Sequence, residues 1–200
     1  MKLLHEFGYA HGDLKMANIC SRLKQNGRFK FTLIDLGVSM RLPLKGEITK
    51  NKKFRGNLLL ASYDHIRNRR SGAVDDIYSL LCVAHLFIYG TLPWQAYWDE
   101  LKSTHGKTKN QRRTFLKLRK EHKETFDEEL CRNSQELNKI FIYVCKARKA
   151  RNQIDRKKQA QMKVSSRSHD FDHDECLSLL PEIPELCQND LKSNLQQSYE

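Results

Sequence analysis

The sequence contains no cysteine pair with redox or zinc-binding spacing, and no apolar segment long enough to cross a membrane. None of its six cysteines belongs to a Cys-x-x-Cys motif, so we expect free thiols in a reducing compartment. The longest apolar run, from Leu80 to Gly90, has about half the length that a membrane span needs. The start, Met1-Lys2-Leu3-Leu4, meets charge and glycine too early for a secretory signal. These absences predict a cytoplasmic or nuclear protein.

Apolar residues are scarce and charge is abundant, at 39% and 30% of the chain. This balance predicts a core in the first two-thirds and looser structure after it. The net charge of +12 is uneven, because residues 102–163 contain 19 Lys/Arg and 7 Asp/Glu, whereas residues 164–200 contain 2 and 8. The basic segment 102–163 could bind an acidic protein partner, and a solvated helical surface is the competing interpretation. Few aromatics interleave its basic residues, so nucleic acid is an unlikely partner.

Two short strands are expected at residues 19–21 and 29–34. The residues between them include Asn26-Gly27, a pair typical of a tight hairpin turn. In the second strand Phe29, Phe31 and Leu33 alternate with polar residues. This alternation predicts a half-buried strand.

The most apolar helical pattern runs from Ala73 to Tyr89 and is apolar over a wide arc. Such a pattern predicts a central buried helix. Further helices are predicted near Thr114–Leu130 and Gln135–Arg151.

Two polar motifs bracket the hairpin. Residues 11–18 read His-Gly-Asp-Leu-Lys-Met-Ala-Asn, and residues 33–37 read Leu-Ile-Asp-Leu-Gly. Asp13 could accept a hydroxyl proton, and Lys15 could place positive charge against a phosphate. Asn18 and Asp35 offer the oxygen ligands that Mg²⁺ prefers. The order and spacing of the two motifs predict a phosphoryl-transfer centre.

Three later motifs narrow the family. They are Gly-Asn-Leu-Leu-Leu-Ala-Ser at residues 56–62, Asp-Asp-Ile-Tyr-Ser-Leu at 75–80, and Gly-Thr-Leu-Pro-Trp at 90–94. Together the motifs resemble the casein kinase I group of protein kinases, which includes the tau-tubulin and vaccinia-related kinases. The His-Gly-Asp form of the catalytic loop is most similar to the vaccinia-related branch.

The resemblance covers residues 1–150 and implies an α+β, protein kinase-like fold, seen here as a mainly α-helical C-lobe with a small β-hairpin. Residues 151–200 are expected to form a basic helix extension and an acidic tail. The 200 residues contain no Gly-x-Gly-x-x-Gly loop and no Val-Ala-x-Lys strand. We therefore expect the N-lobe to be absent from this chain, as in a truncated reading frame or a natural half-kinase.

The resemblance also implies roles for individual residues. Asp13 and Lys15 would be catalytic, and Asn18 and Asp35 would hold Mg²⁺. Lys15, Asn18 and Asp35 would also contact ATP, and Cys20 would form the floor of the adenine pocket.

Four other positions match structural residues of the family. His11 and Leu36 match the C-lobe members of the hydrophobic spine that joins the two lobes. Asp76 matches an aspartate that binds the catalytic-loop backbone. Asn57 stands where a threonine usually bridges the base and the loop lysine.

These inferences predict a Ser/Thr protein kinase that uses ATP and Mg²⁺ to phosphorylate protein hydroxyls. The alternative is a catalytically inactive half-kinase that acts as a protein-interaction module. A third interpretation, a nucleic-acid or membrane-surface binder, rests only on the basic segment 102–163.

Overall fold

A computed structural model describes part of the chain. The described residues are 1–42, 44–45, 54–67, 72–104, 109–122, 126, 128–130, 135, 137–147 and 166–167. Most of the proposed extension and tail, residues 151–200, lies outside them. Among the described residues, no helix has the length and apolar character that crossing a bilayer requires.

The N-terminal part contains short elements around the first motif. Helix α1 (Lys2–Glu6) leads into strand β1 (Tyr9–Ala10), and a 3-10 helix (Met16–Asn18) ends the loop that follows. Strand β4 (Met40–Arg41) pairs antiparallel with β1. This pairing, which the sequence pattern did not reveal, places the two residues just before the loop beside residues that follow Asp35. Strand β5 (Leu44–Lys45) pairs antiparallel with β6 (Ser166–Arg167).

The predicted hairpin is confirmed, with slightly different bounds. Strands β2 (Ile19–Leu23) and β3 (Phe29–Leu33) pair antiparallel over five residues each. Gly27 has φ +76° in the turn, a left-handed conformation that glycine adopts at little cost. The expected burial of β3 is wrong at its centre, because Phe31 is 57% exposed.

Four helices follow the hairpin: α2 (Tyr63–Ile66), α3 (Ala73–Tyr89), α4 (Gln95–Thr104) and α5 (Lys109–Glu121). Further helical residues occur at 126, 128–130, 135 and 137–147. The predicted helix at 73–89 is confirmed, and 11 of its 17 residues are buried. The pattern predicted near Thr114–Leu130 corresponds to α5, which begins earlier, and to the helical residues after it.

Polar contacts fix both ends of α3. The Asp75 carboxylate accepts hydrogen bonds from the Gly72 N–H at 2.9 Å and from the Ser62 hydroxyl at 2.5 Å. A carboxylate in the first turn satisfies N–H groups that have no partner within the helix. At the other end, Gly90 adopts φ +73° and its N–H donates to the Leu86 carbonyl. This left-handed glycine ends the helix.

Candidate active site

Three residues of the first motif are in direct contact. The Lys15 ammonium lies 2.6 Å from Asp13 Oδ2. The Asn18 side-chain amide donates to the Asp13 backbone carbonyl at 2.9 Å. The turn of 3-10 helix at Met16–Asn18 brings Asn18 back toward Asp13. The loop therefore gathers a carboxylate, an ammonium and an amide at one point.

The Lys15 ammonium is stabilised as a cation. The hydrogen bond to Asp13 is the main cause that raises the pKa of Lys15 above its ordinary value, and partial burial opposes it. The charges of Asp13 and Asp35 raise the pKa further. The Asp35 carboxylate thus also favours the charged form of Lys15.

Asp35 has a backbone conformation that singles it out. Its φ is +62°, and no other non-glycine residue among those described has a positive φ. Such conformations are uncommon and concentrate at functional sites. Its Oδ1 accepts the Gly37 N–H at 3.2 Å. Immediately before it, the Ile34 N–H donates to the Asn18 carbonyl at 3.0 Å, which joins the end of the hairpin to its start.

Asp76 of α3 anchors the loop, as the resemblance implied. Its carboxylate accepts the backbone N–H of His11 at 2.6 Å and that of Gly12 at 2.9 Å. A third bond, at 2.9 Å, comes from His5 Nε2 in α1. Asp76 and His5 are each 2% exposed. The burial of this carboxylate is therefore offset by three donors from two separate elements.

The His11 ring fixes the loop from the other side. Its Nδ1 accepts the Asp13 N–H at 3.3 Å, so Nε2 carries the proton and donates to the Ile34 carbonyl at 3.0 Å. His11 is fully buried. One imidazole thus links the backbone of Asp13 to the residue before Asp35. By contrast Leu36, the other expected spine residue, is 54% exposed.

The segment of residues 56–62 packs directly on the loop. A Cβ added at Gly56, where φ is +123°, would collide with the Gly12 carbonyl and would lie 3.7 Å from Asp13 Oδ1. Only glycine allows this approach. The Asn57 side chain forms a hydrogen bond within its own segment, where its Oδ1 accepts the Leu59 N–H at 2.9 Å. The threonine that usually stands at this position would instead bridge the base and the loop lysine.

The arrangement suits a nucleotide with its metal. Carboxylate and amide oxygens from Asp35 and Asn18 match the ligands that Mg²⁺ uses beside substrate phosphates, and Lys15 supplies a positive charge for phosphate. Cys20, the predicted floor of the adenine pocket, lies exposed on β2 opposite Thr32. By their chemistry, the oxygens of Asp35 and Asn18 and the ammonium of Lys15 fit a metal-bound phosphate, and the role of Cys20 stays a prediction.

The protein kinase domain model matches residues 1–183 of the chain. The chain belongs to the protein kinase family. Over 110 residues it is 29% identical to a protein assigned to casein kinase I in Caenorhabditis elegans, a match that covers 53% of this chain and 32% of the relative.

Two further relatives are a casein kinase 1-like protein and a VRK-type kinase. A casein kinase 1-like protein of Oryza sativa is 31% identical over 110 residues, covering 52% of this chain and 16% of the relative. The serine/threonine-protein kinase VRK1 of Caenorhabditis elegans is 32% identical over 97 residues, covering 48% and 16%. The matched stretch thus covers no more than about a third of each of these relatives.

Two structural contributors were missed by the sequence interpretation. The sequence interpretation gave His5 no role, yet its Nε2 donates to Asp76. The available signal was a histidine on the helix that leads into the loop. Gly56 was recognised only as part of a family motif, and its contact with Gly12 depends on a long-range fold that local patterns do not encode.

Proposed function

We propose that this chain supplies the catalytic-loop part of a Ser/Thr protein kinase of the casein kinase I group. The reaction is transfer of the ATP γ-phosphate to a protein hydroxyl. The observation that supports it most is the contact of Asp13 with Lys15 and Asn18, with the positive-φ residue Asp35 also favouring the charged form of Lys15. Family membership supplies the reaction class, and this cluster supplies the residues.

Each side chain has a task that its chemistry allows. Asp13 orients the substrate hydroxyl and accepts its proton. Lys15, held as a cation, faces the transferring phosphate, where negative charge is concentrated. Asn18 and Asp35 would hold Mg²⁺, which when bound neutralises phosphate charge. In the described structure Lys15 neutralises Asp13, so a bound phosphate would draw Lys15 away and leave the carboxylate available to the hydroxyl.

The division into a C-lobe of residues 1–150 and an extension of residues 151–200 belongs to this proposal. So do a cytoplasmic or nuclear location, protein substrates, and an acidic partner for the basic segment 102–163. The described part of this segment supports binding of an acidic partner, because Arg113, Lys117 and Lys120 of α5 are exposed.

A second candidate function is the inactive half-kinase that binds other proteins. Exposed apolar side chains in the N-terminal part of the chain favour it. They include Phe7, at 75% exposed, Leu36, at 54%, and Phe31, at 57%. Large exposed apolar side chains are available for contact with a partner protein.

Phosphate transfer from radiolabelled ATP to dephosphorylated casein separates the two candidates. We expect little or no transfer by the 200-residue chain alone, because catalysis of this reaction depends on positioning and electrostatics from both sides of the nucleotide. Adding the N-terminal lobe of a casein kinase I as a separate polypeptide should raise the rate. Asp13→Asn should abolish that gain, whereas Asp99→Asn, at an exposed site, should preserve it.

Turnover by the chain alone in the usual kinase range of about 1–100 s⁻¹ would refute the expected need for a second lobe. If Asp13→Asn retains the full gain, Asp13 is not the base. Casein binding without any transfer, with the added lobe shown to be bound, would favour the interaction module.

A further inference from the structure

Arg119 of α5 is a buried cation without a carboxylate partner among the described residues. It is 2% exposed. Its Nη2 donates to the Tyr78 hydroxyl at 2.9 Å, whereas its Nη1 has no hydrogen-bond partner within the described structure. Burial of an arginine is costly unless other groups compensate for the lost water. The compensating contacts should therefore show what this residue holds in place.

The compensation comes from aromatic rings. The Arg119 guanidinium carbon lies 3.8 Å from the centre of the Trp94 ring system. It lies 5.8 Å from the Phe115 ring and 6.0 Å from the Tyr78 ring. A cation over tryptophan is the most favourable case of this interaction, and the planar guanidinium can also stack on the ring. Arg119 thus packs directly against the Trp94 ring system.

Trp94 in turn holds the segment of residues 56–62. Its side chain is fully buried, and its Nε1 donates to the Leu59 carbonyl at 2.8 Å. Within the segment, the Leu59 N–H donates to Asn57 Oδ1 at 2.9 Å and the Ala61 N–H donates to the Asn57 carbonyl at 3.0 Å. The indole therefore ties a small hydrogen-bonded turn to the helical core.

This turn begins where Gly56 meets the catalytic loop at Gly12 and Asp13. Contacts consequently run from α5 through Trp94 to the loop that carries the candidate base. A path of contacts shows proximity, and coupling requires that a change at one end alter the other.

We propose that Arg119 is a positioning residue that holds residues 56–62 against the catalytic loop by acting on Trp94. Because residues 56–62 lie beside the candidate base Asp13, loosening them should also weaken substrate binding, and this consequence rests on the proposed kinase function. The positioning itself does not, because it follows from the contacts alone.

Hydrogen exchange on the full chain tests the positioning. Arg119→Met keeps the length of the side chain and removes its charge. We expect the Leu59 and Ala61 amides to exchange roughly ten times faster, as local opening becomes easier. Global stability should be unchanged or higher, because a buried charge without a carboxylate has been removed. Faster exchange throughout the molecule, with lower global stability, would show a merely structural role and would overturn the inference.

Two matched variants sharpen the result. Lys120→Met removes one charge from an exposed site on the same helix, and exchange at Leu59 and Ala61 should stay at the wild-type rate. Arg119→Lys keeps a cation over the ring and should restore part of the protection. If Lys120→Met has the same effect as Arg119→Met, net helix charge is responsible and the inference fails.

A double-mutant cycle tests whether Trp94 is the intermediary. Trp94→Phe keeps an aromatic ring for Arg119 but removes the N–H that binds Leu59. If Arg119 acts through this bond, adding Arg119→Met to Trp94→Phe should change the exchange of Leu59 and Ala61 little further. Additive effects on the logarithm of the exchange rate would overturn the proposed route.

Equilibrium binding of dephosphorylated casein separates this inference from the proposed function. We expect Arg119→Met to weaken binding several-fold more than Lys120→Met, which removes only one exposed charge from the basic segment. Faster local exchange with unchanged casein binding would support the positioning role and refute a substrate-facing role for the segment. Unchanged exchange would overturn the inference whatever the casein result.

Discussion

The hairpin of β2 and β3 and helix α3 are stabilised in opposite ways. None of the ten residues of β2 and β3 is buried, whereas α3 buries 11 of its 17 residues. Yet the hairpin carries Asn18 and Asp35 at its two ends. The candidate active site therefore lies in the part of the molecule that has little core of its own, and its geometry depends on polar contacts with the helical part.

Asp76 is the clearest of these contacts, and its loss should have the largest effect. In Asp76→Asn the amide can no longer accept all three N–H groups that meet the carboxylate. Buried donors left without partners are costly, so we expect a loss of about 3–5 kcal/mol in the free energy of unfolding. Denaturant unfolding monitored by circular dichroism measures it.

Asp99→Asn provides the control, since Asp99 is exposed on α4 and contacts only Gln95 among the hydrogen bonds observed. Its effect should stay within about 0.5 kcal/mol. Equal effects of the two variants would show that the loop is held in place without help from Asp76. The geometry of the candidate site would then not depend on this polar contact with the helical part.

The second prediction compares a leucine from each region. Leu81 of α3 is 4% exposed, and Leu23 of β2 is 53% exposed. Leu81→Ala should cost about 2–5 kcal/mol through lost burial and a residual cavity. Leu23→Ala should cost less than about 1 kcal/mol, because most of its side chain remains in water. Thermal and denaturant unfolding of the two variants provide the measurement.

If Leu23→Ala were as damaging as Leu81→Ala, the hairpin would contribute to a core that its exposure does not reveal. Such a result would also indicate that the hairpin face is covered in solution, for example by a second protein. Sedimentation of the wild-type chain would then distinguish self-association from a monomer.

The sequence was most informative where local chemistry decides structure. The Asn26-Gly27 turn and the long apolar run of residues 73–89 identified the hairpin and α3, because turn geometry and helical periodicity are local properties. The motif residues were selected because Mg²⁺ and phosphate demand particular side chains, and their catalytic and ligand roles stay predictions. Their family resemblance was confirmed by the protein kinase match.

Long-range packing could not be predicted from the sequence patterns. The alternation of Phe29 and Phe31 predicted a half-buried strand, but burial depends on what lies above the hairpin, and Phe31 is exposed. The pairing of β1 with β4 joins residues about thirty positions apart, and short strands give little periodic signal. Likewise the basic pattern of α5 favoured a solvated helix and gave no reason to bury Arg119 among aromatic rings.

The third and smallest prediction concerns pH and the end of α3. His85 is buried, and its Nδ1 donates to the Thr91 carbonyl at 2.8 Å. Burial lowers the pKa of His85 below its ordinary value, and the bond to Thr91 partly opposes this effect. The unfolded chain therefore binds a proton more readily than the folded chain. The contribution of His85 to the free energy of unfolding should be fully present above about pH 6.5, the pKa of histidine in an unfolded chain. It should fall as the pH drops below that value.

His85→Gln keeps a donor for Thr91 without titrating, so it isolates this contribution. We expect the difference in unfolding free energy between wild type and His85→Gln to be constant above about pH 6.5 and to shift in favour of the variant at lower pH. If wild type instead gained stability relative to His85→Gln on acidification, the protonated imidazole would be the favoured form in the folded state. The turn after α3 would then need a carboxylate near His85 that the described contacts do not include.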